Sequence, residues 1–326
     1  PVPEARVVFI TSHGQKMRDY VASFVPPGVK FSCADLSLPD EKKIEELKQA
    51  DYLIVHPAFL SDKVLEGAKH LKLIQLLSAG YDGVNLKLAR ELGIPVANNG
   101  GANSITVSEH TLMLMLAVYR NLVKMANNAK AGAWRDLEQT TLNAFELAGK
   151  TVGIVGMGNV AREVAKRVKA FDTTAQYYDK YVALQPDVAK ELGVKKVSLE
   201  ELLHTSDVVT VHIPLTSETR ALIGREQLAM MKPTAILINT SRGGVVDQRA
   251  LYEALRDKKI AAAGLDVRDP EPFDRNEPIL RLENATVTPH SAGFVYDSYK
   301  RRASNAFENI QRVQRGEKSK WIAQFV

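Results

Sequence analysis

Short runs of apolar, mostly β-branched residues recur along the chain, separated by stretches in which apolar positions return every three or four residues. The first series of runs is RVVFI (6–10), DYLIVH (51–56), KLIQLLS (72–78) and PVAN (95–98). The second is TVGIVG (151–156), QYYD (176–179), DVVTVH (207–212), AILINT (235–240), AAGLDV (262–267) and ATVTPH (285–290). Segments of helical period, such as Ala161–Ala170, lie between them. Nearly continuous apolar runs predict strands buried on both faces, and helices between them predict parallel sheets covered on both sides. Two such series predict two α/β domains.

A glycine- and asparagine-rich turn, NNGGAN (98–103), separates the two series and suits a hinge. After it comes SITVSEHTLMLMLAVYRNL, a helix apolar on nearly all sides and therefore expected to be buried between domains or subunits. The closing segment YDSYKRRASNAFENIQRVQRG reads as an amphipathic helix. No internal repeat and no low-complexity tract interrupts this pattern.

Composition narrows the possible partners. The 326 residues are 45% hydrophobic and 25% charged, with a formal net charge of +5. Lys and Arg are scattered among Asp and Glu, which argues against a nucleic-acid tail or a membrane-binding patch. A weak positive field still favours small anionic substrates. Cys33 is the single cysteine, so no intrachain disulfide forms and a reducing compartment fits. Without an activating partner it reads as a packing residue rather than a nucleophile. The N-terminal PVPEARVVFITSH runs directly into a strand, and the longest apolar run, Leu112 to Tyr119, is too short to span a bilayer. A soluble, cytoplasmic protein is the expectation.

The sharpest chemical signal is TVGIVGMGNVAREVAKRVKAF. A strand ends at Gly156, and a helix begins within Gly156-Met157-Gly158-Asn159-Val160-Ala161. Gly156 permits the tight turn, Gly158 lets a pyrophosphate approach the backbone, and Ala161 allows close helix–strand packing. The helix N-terminus offers N–H groups and a positive dipole end to the phosphates. Asp179 closes the next strand, where a carboxylate accepts hydrogen bonds from the adenosine ribose and repels a 2′-phosphate. NAD is therefore favoured over NADP, although Lys180 beside it works against that rejection.

In such sheets ligands sit beyond the carboxyl ends of the strands. Three charged or titratable residues fall there: Arg242 after AILINTS, Glu271 after GLDVRDP, and His290 closing ATVTP. Each alone has a structural explanation, as an ion pair, a solvated acid or a satisfied histidine. Together, beside a nicotinamide site, they fit carbonyl reduction. A guanidinium holds a carboxylate or polarises a carbonyl with two directed donors. An imidazole gives the proton that balances hydride addition. A carboxylate beside it orients the ring and favours its protonated form. Gly243 and Gly244 are expected to let the backbone turn closely around the cofactor.

The motifs GIVGMGNVA, HIPLTSET, LINTSRGGVVDQRAL, GLDVRDPEP and TPHSAG stand in one order, preceded by LSAGYDGVNL and NSITVSEHTL. In these the chain resembles the D-isomer-specific 2-hydroxyacid dehydrogenases over almost its whole length. The resemblance implies an NAD-dependent enzyme interconverting a small D-2-hydroxy acid and its 2-oxo acid. Arg242 looks like the residue that binds the substrate's carboxylate and carbonyl, and Glu271 with His290 like the acid/base pair. Ser78, Ala79 and Gly80 match the loop whose N–H groups grip the carboxylate, and Asn103 and Val107 the hinge segment near the reacting centre. Asp266 matches the residue that holds the nicotinamide amide. The implied cofactor set is Gly156, Met157, Gly158, Asn159, Val160, Asp179, His212, Pro214, Thr219, Thr240, Ser241, Arg242, Asp266, His290, Gly293 and Val107. No metal is implied.

The same resemblance implies the fold class: α/β, with two doubly wound parallel-sheet domains. Residues 1–103 and 296–326 would form a smaller flavodoxin-like substrate domain, and 104–295 a Rossmann domain binding NAD, with the cleft between them closing over substrate. AGAWRDLEQTTLNAFELAGK (131–150) is similar to the family's dimerisation arm, so a homodimer is implied. Three departures bear on the substrate. Ala161 replaces a commoner glycine, Arg268 stands where the family usually has an aromatic residue, and SAGFVYDS lacks the usual Gly-Gly-Ala. Phe294 and Tyr296 either shape the substrate pocket or pack the last helix. Phosphite and phosphoglycerate dehydrogenases share the architecture, whereas the glutamine of formate dehydrogenases is absent at Glu271. NAD(H)-binding corepressors form the alternative from another functional class.

Overall fold

The computed structural model describes residues 4–134 and 142–323. The chain divides into two compact units, one of residues up to Asn103 together with those from Phe294 on, the other Ser104–Gly293. The return to the first unit therefore falls at Phe294, two residues before the position expected from the sequence.

The first unit is built on strands β1 (Ala5–Thr11), β2 (Val29–Asp35), β3 (Tyr52–His56), β5 (Leu73–Leu76) and β7 (Val96–Ala97), with β4 (Phe59–Leu60) and β6 (Gly83–Val84) forming a separate pair. The five pair in parallel in the order β2-β1-β3-β5-β7, the flavodoxin-like arrangement. Helices α1 (Gln15–Ala22), α2 (Asp40–Leu47), α3 (Asp62–Gly67) and α4 (Leu86–Glu91) connect them. β3 is buried at every position, as its unbroken apolar run requires.

One face of this sheet is covered by chain that arrives late in the sequence. Ala306, Phe307 and Ile310, from the helix Tyr296–Gln314, pack with Val7, Phe9, Ile54 and Leu73. Asn309 on that helix donates from Nδ2 to the buried Gln75 Oε1 at 2.8 Å, so the one polar position in β5 is satisfied across the layer. Cys33 packs at the edge of the same core, where burial raises its thiol pKa.

The second unit opens with α5 (Ser104–Tyr119) and α6 (Leu122–Lys130). Its strands are β8 (Thr151–Val155), β9 (Thr174–Tyr178), β10 (Val194–Lys196), β11 (Val208–Val211), β12 (Ile236–Asn239), β13 (Ala262–Leu265) and β14 (Ala285–Val287). All are parallel, in the order β10-β9-β8-β11-β12-β13-β14. This is the doubly wound dinucleotide arrangement extended by one strand. Helices α7 (Asn159–Lys169), α8 (Pro186–Leu192), α9 (Leu199–Thr205), α10 (Arg225–Met230) and α11 (Gln248–Arg256) join successive strands.

Two apolar clusters cover the two faces of this sheet. Leu114, Met115, Val118 and Tyr119 of α5 join Ile154, Val164 and Ile238 on one side, and Leu251, Leu255 and Leu228 join Val209 and Leu237 on the other. The nearly all-apolar α5 thus finds its burial against the sheet of its own unit. Of the expected dimerisation arm, residues 135–141 lie outside the described residues. Among the described residues no helix is long and apolar enough to cross a membrane, and no group of His, Cys, Asp and Glu could hold a metal ion.

Candidate active site

The glycine turn follows β8. Gly156 has φ +97°, and a Cβ there would lie 2.7 Å from the His212 carbonyl oxygen, so strand β8 turns against β11 only as glycine. Beside Gly158, which caps α7, nothing lies within 4 Å of where a Cβ would stand. The helix N-terminus is therefore open beside Gly158, the position where the sequence pattern expects a pyrophosphate. α7 carries no acid in its first turn, and it ends on Lys166, Arg167 and Lys169, in keeping with its dipole. Ala161, in its first turn, is fully buried.

Asp179 is fixed from two directions. Its Oδ2 accepts from the Met157 N–H at 2.8 Å, and its Oδ1 accepts from the N–H groups of Tyr181 and Val182, each at 2.8 Å. The acid therefore ties the glycine loop to the turn after β9. Lys180 next to it is drawn to Glu218 at 2.8 Å, and the Tyr181 hydroxyl donates to the same carboxylate at 2.5 Å. Glu218 was not among the residues expected from the sequence. Its loop is held by Thr219, whose hydroxyl donates to the Pro214 carbonyl at 2.7 Å. His212 lies just after β11 with Nε2 2.9 Å from Thr210 Oγ1, and burial lowers its pKa to about 3, leaving a neutral ring.

Arg242 stands in extended backbone after β12. Asn239, buried at the strand end, organises the turn: its Nδ2 donates to the Arg242 carbonyl at 2.9 Å, while its Oδ1 accepts from the Ser241 N–H at 3.0 Å and hydroxyl at 2.9 Å. Thr240 shares a 2.8 Å hydrogen bond with Thr111 of α5, on the turn above Val107, which is itself buried. Arg242 Nη1 donates to the Ser241 carbonyl at 2.8 Å.

The two glycines that follow make room for another loop. A Cβ on Gly243 would lie 2.0 Å from the carbonyl carbon and oxygen of Arg268, and one on Gly244 would lie 2.7 Å from Asp269 Oδ2. They admit the loop after β13, which carries Glu271, against the arginine turn. Arg268 is buried there, with Nε and Nη2 donating to Glu277 Oε2 at 3.2 and 2.5 Å. Its backbone N–H donates to Glu271 Oε1 at 2.9 Å. The departure at Arg268 is thus a buried ion pair that braces the acid's loop.

Glu271 Oε2 lies 2.6 Å from His290 Nδ1. Burial pushes the Glu271 carboxyl up, but hydrogen bonds from His290 and the Arg268 N–H, with the charges of His290 and Arg242, hold it below the ordinary value. It is the ionised partner of the pair. His290 has φ +50°, an uncommon conformation for a residue with a side chain. Asp266 enforces it: its carbonyl accepts the His290 N–H at 2.7 Å. Its carboxylate accepts from the Thr288 hydroxyl at 2.6 Å and from the Ser291 and Ala292 N–H groups, each at 2.9 Å. His110 on α5 adds contacts of 3.0 Å to Thr288 and 3.4 Å to Asp266. Burial works against the charged acid, but the bonds from His110, Thr288, Ala292 and Ser291 outweigh it and lower its pKa. Asp266 is therefore the clamp of the histidine's loop, which ends at Gly293.

Arg242, Glu271, His290 and Asp266 are brought together at the carboxyl edge of the second unit's sheet. Asn159 and Val160 open α7, and the residues expected to grip the carboxylate, with Asn103, lie on the first unit. The Ser78 hydroxyl donates to the Gly80 carbonyl at 2.7 Å, and Asn98 Nδ2 donates to the Ala79 carbonyl at 3.1 Å. Asn103 accepts from Asn99 at 3.4 Å in the turn leading to α5.

Residues 112–292 match the model of the D-isomer specific 2-hydroxyacid dehydrogenase, NAD binding domain. A glyoxylate reductase of Korarchaeum cryptofilum is 41% identical over 286 residues, covering 86% of this chain and 85% of the relative. A D-3-phosphoglycerate dehydrogenase of Methanocaldococcus jannaschii is 40% identical over 282 residues, and the chain spans about half (53%) of that protein's length. Among solved structures, the TT0316 protein of Thermus thermophilus superposes with a TM-score of 0.84 at 36% identity, over 98% of this chain and all of that one. The D-mandelate dehydrogenase of Rhodotorula graminis gives 0.86 at 27% identity, over 99% of each chain. By the match of its NAD-binding domain and its likeness to these relatives, the chain belongs to the D-isomer-specific 2-hydroxyacid dehydrogenase family.

Proposed function

We propose that the protein interconverts a small D-2-hydroxy acid and its 2-oxo acid, with NAD(H) as the redox partner. The observation that carries the reading is the 2.6 Å contact of Glu271 with His290 Nδ1. It leaves Nε2, on the opposite edge of the ring, to give a proton to the reduced carbonyl oxygen or to take one from the alcohol. Bound NAD(H) supplies or accepts the hydride. Glu271 orients the imidazole and balances its charge when it holds both protons. Arg242 holds the substrate carboxylate and polarises its carbonyl through paired N–H donors. Ser78, Ala79 and Gly80 of the first unit offer backbone N–H groups suited to a carboxylate. The glyoxylate and hydroxypyruvate reductases among the relatives support a short 2-oxo acid as substrate.

A homodimer and a cytoplasmic location belong to the same reading. Leu122 and Val123 of α6 are each 52% exposed, an apolar face that a second copy would cover. The single cysteine fits a reducing compartment.

The test is loss of NADH absorbance with glyoxylate, hydroxypyruvate, pyruvate, and branched and aromatic 2-oxo acids. Turnover of at least one is expected. Arg242→Lys keeps the charge but not the fork, so kcat/KM should fall by about 10²-fold or more, with the NADH Kd within about 3-fold of wild type. Tight NADH binding without turnover of any acid would sink the reading.

A further inference from the structure

Lys180 stands directly after Asp179, and a cation there suits a 2′-phosphate on the adenosine ribose. The structure gives it another partner. Its Nζ lies 2.8 Å from Glu218 Oε2, the Tyr181 hydroxyl donates to the same oxygen at 2.5 Å, and the ammonium sits 5.2 Å above the Tyr181 ring. Hydrogen bonds from Lys180 and Tyr181 hold the Glu218 carboxyl below its ordinary value, so it is ionised at neutral pH.

The pair joins two loops that leave the second unit's sheet on either side of the glycine turn. β9 and β11 both pair with β8, and the register sets Tyr178, Val155 and Val211 level with one another. Lys180 leaves from the end of β9 and Glu218 from the loop after β11, so their contact bridges the carboxyl end of β8, where the chain turns at Gly156. Glu218 does not depend on Lys180 for its place. The Thr219 hydroxyl accepts the Thr216 N–H at 2.8 Å and donates to the Pro214 carbonyl at 2.7 Å, and the Arg220 N–H donates to the Thr216 carbonyl at 3.0 Å, which closes a turn around it. Asp179, for its part, has less to give the ribose than its position suggests. A carboxylate offers about four lone-pair positions, and the N–H groups of Met157, Tyr181 and Val182 already engage this one. Asp179 repels a 2′-phosphate and Lys180 attracts one, so side by side they leave the choice to a third charge.

We propose that Glu218 is that third charge: by engaging Lys180 across the end of β8, it makes the adenosine end of the groove select a dinucleotide with a free 2′-hydroxyl. The inference rests on NAD(H) as the redox partner, but not on the identity of the acid or on turnover. An ion pair as open as this one, with side chains 57% and 55% exposed, is weak in itself. It does not act as a lock. Glu218 is anchored by its own turn, so its negative charge stays beside the site whether or not Lys180 moves. A phosphate monoester, carrying about 1.5 to 2 negative charges, therefore meets the carboxylates of Asp179 and Glu218 together with the ammonium of Lys180. A ribose hydroxyl brings no charge and is not opposed.

The experiment measures the Kd of NADPH and of NADH, by nicotinamide fluorescence, in wild type, Glu218→Gln and Glu218→Gln/Lys180→Ala. The two nucleotides differ only in the 2′-phosphate, so the ratio of the two Kd values is the readout, and a general loosening of the site moves both together. Wild type should bind NADH the more tightly. Glu218→Gln should lower the NADPH/NADH ratio by about 5-fold or more, because one negative charge is gone and the ammonium is released. Removing Lys180 as well restores the wild-type charge count and should return the ratio to within about 2-fold of wild type. Equal wild-type affinities, a ratio unmoved in Glu218→Gln, or a gain that survives the loss of Lys180 each overturn the role of Glu218 while leaving the dehydrogenase reading intact. Failure of wild type to bind NADH overturns both. The expected ratios without turnover of any 2-oxo acid uphold Glu218 as the selector and sink the dehydrogenase reading alone.

Discussion

The proposed acid/base histidine, His290, is held in a backbone conformation that few side chains adopt, and the group enforcing it is not its carboxylate partner Glu271. His290 sits at φ +50° because Asp266 grips the backbone on both sides of it. Gly243 makes a similar demand for the opposite reason, since its hydrogen gives room to a carbonyl. Gly243→Ala would drive a methyl group into the Arg268 backbone, which cannot rotate away as a side chain could. A loss of about 1–3 kcal/mol in a denaturant titration is expected, together with reduced turnover, because the displaced loop carries Glu271. A variant as stable and as active as wild type would remove the coupling between the two loops. Arg242, Glu271 and His290 were legible in the sequence because chemistry restricts residue type at strand ends. His110 was not, because its contacts with Thr288 and Asp266 join distant segments and leave no local pattern, and Arg268 stood out only as a departure, with nothing to show its ion pair with Glu277.

Among elements, the clamp on the loop after β14 has a pH signature. The folded-state pKa of Asp266 is lowered, so its contribution to stability is complete above the ordinary carboxylate range and is lost as pH falls through its own, lower value. Unfolding free energy measured from pH 7 down to about pH 3 should therefore fall less steeply in Asp266→Asn than in wild type, from a lower plateau. Parallel slopes would mean that the acid contributes equally in both protonation states. The strands that carry the site were legible to within a residue or two, as with AILINT against β12 at Ile236–Asn239. β2 and β10 were not. Each lies at one edge of its sheet, and VKFSCAD and VKK carry polar residues at exposed or half-buried positions, which breaks the apolar run that marks the other strands. The buried α5 was recognised as buried, but its partner is the sheet of its own unit, and an all-apolar helix does not specify what covers it.

For the molecule as a whole, the exposed apolar face of α6 is the feature that a monomer leaves unexplained. Leu122, Val123 and Met125 stand out on a helix with no buried residue, and Phe145 is 42% exposed. Light scattering should give twice the 36.0 kDa chain mass, and a Leu122→Asp/Val123→Asp variant should give the single mass. A wild type of one chain mass would end the homodimer proposal. The same scale shows a consequence of the chain's path. The first unit is interrupted by the whole of the second, and the helix carrying Phe307, Asn309 and Ile310 is made only afterwards. During synthesis the second unit has all its strands in hand while the first still shows an uncovered apolar sheet face. That nascent half-domain is the species most open to aggregation and to capture by chaperones. Its completion, rather than that of the dinucleotide fold, should set how much active protein a cell recovers.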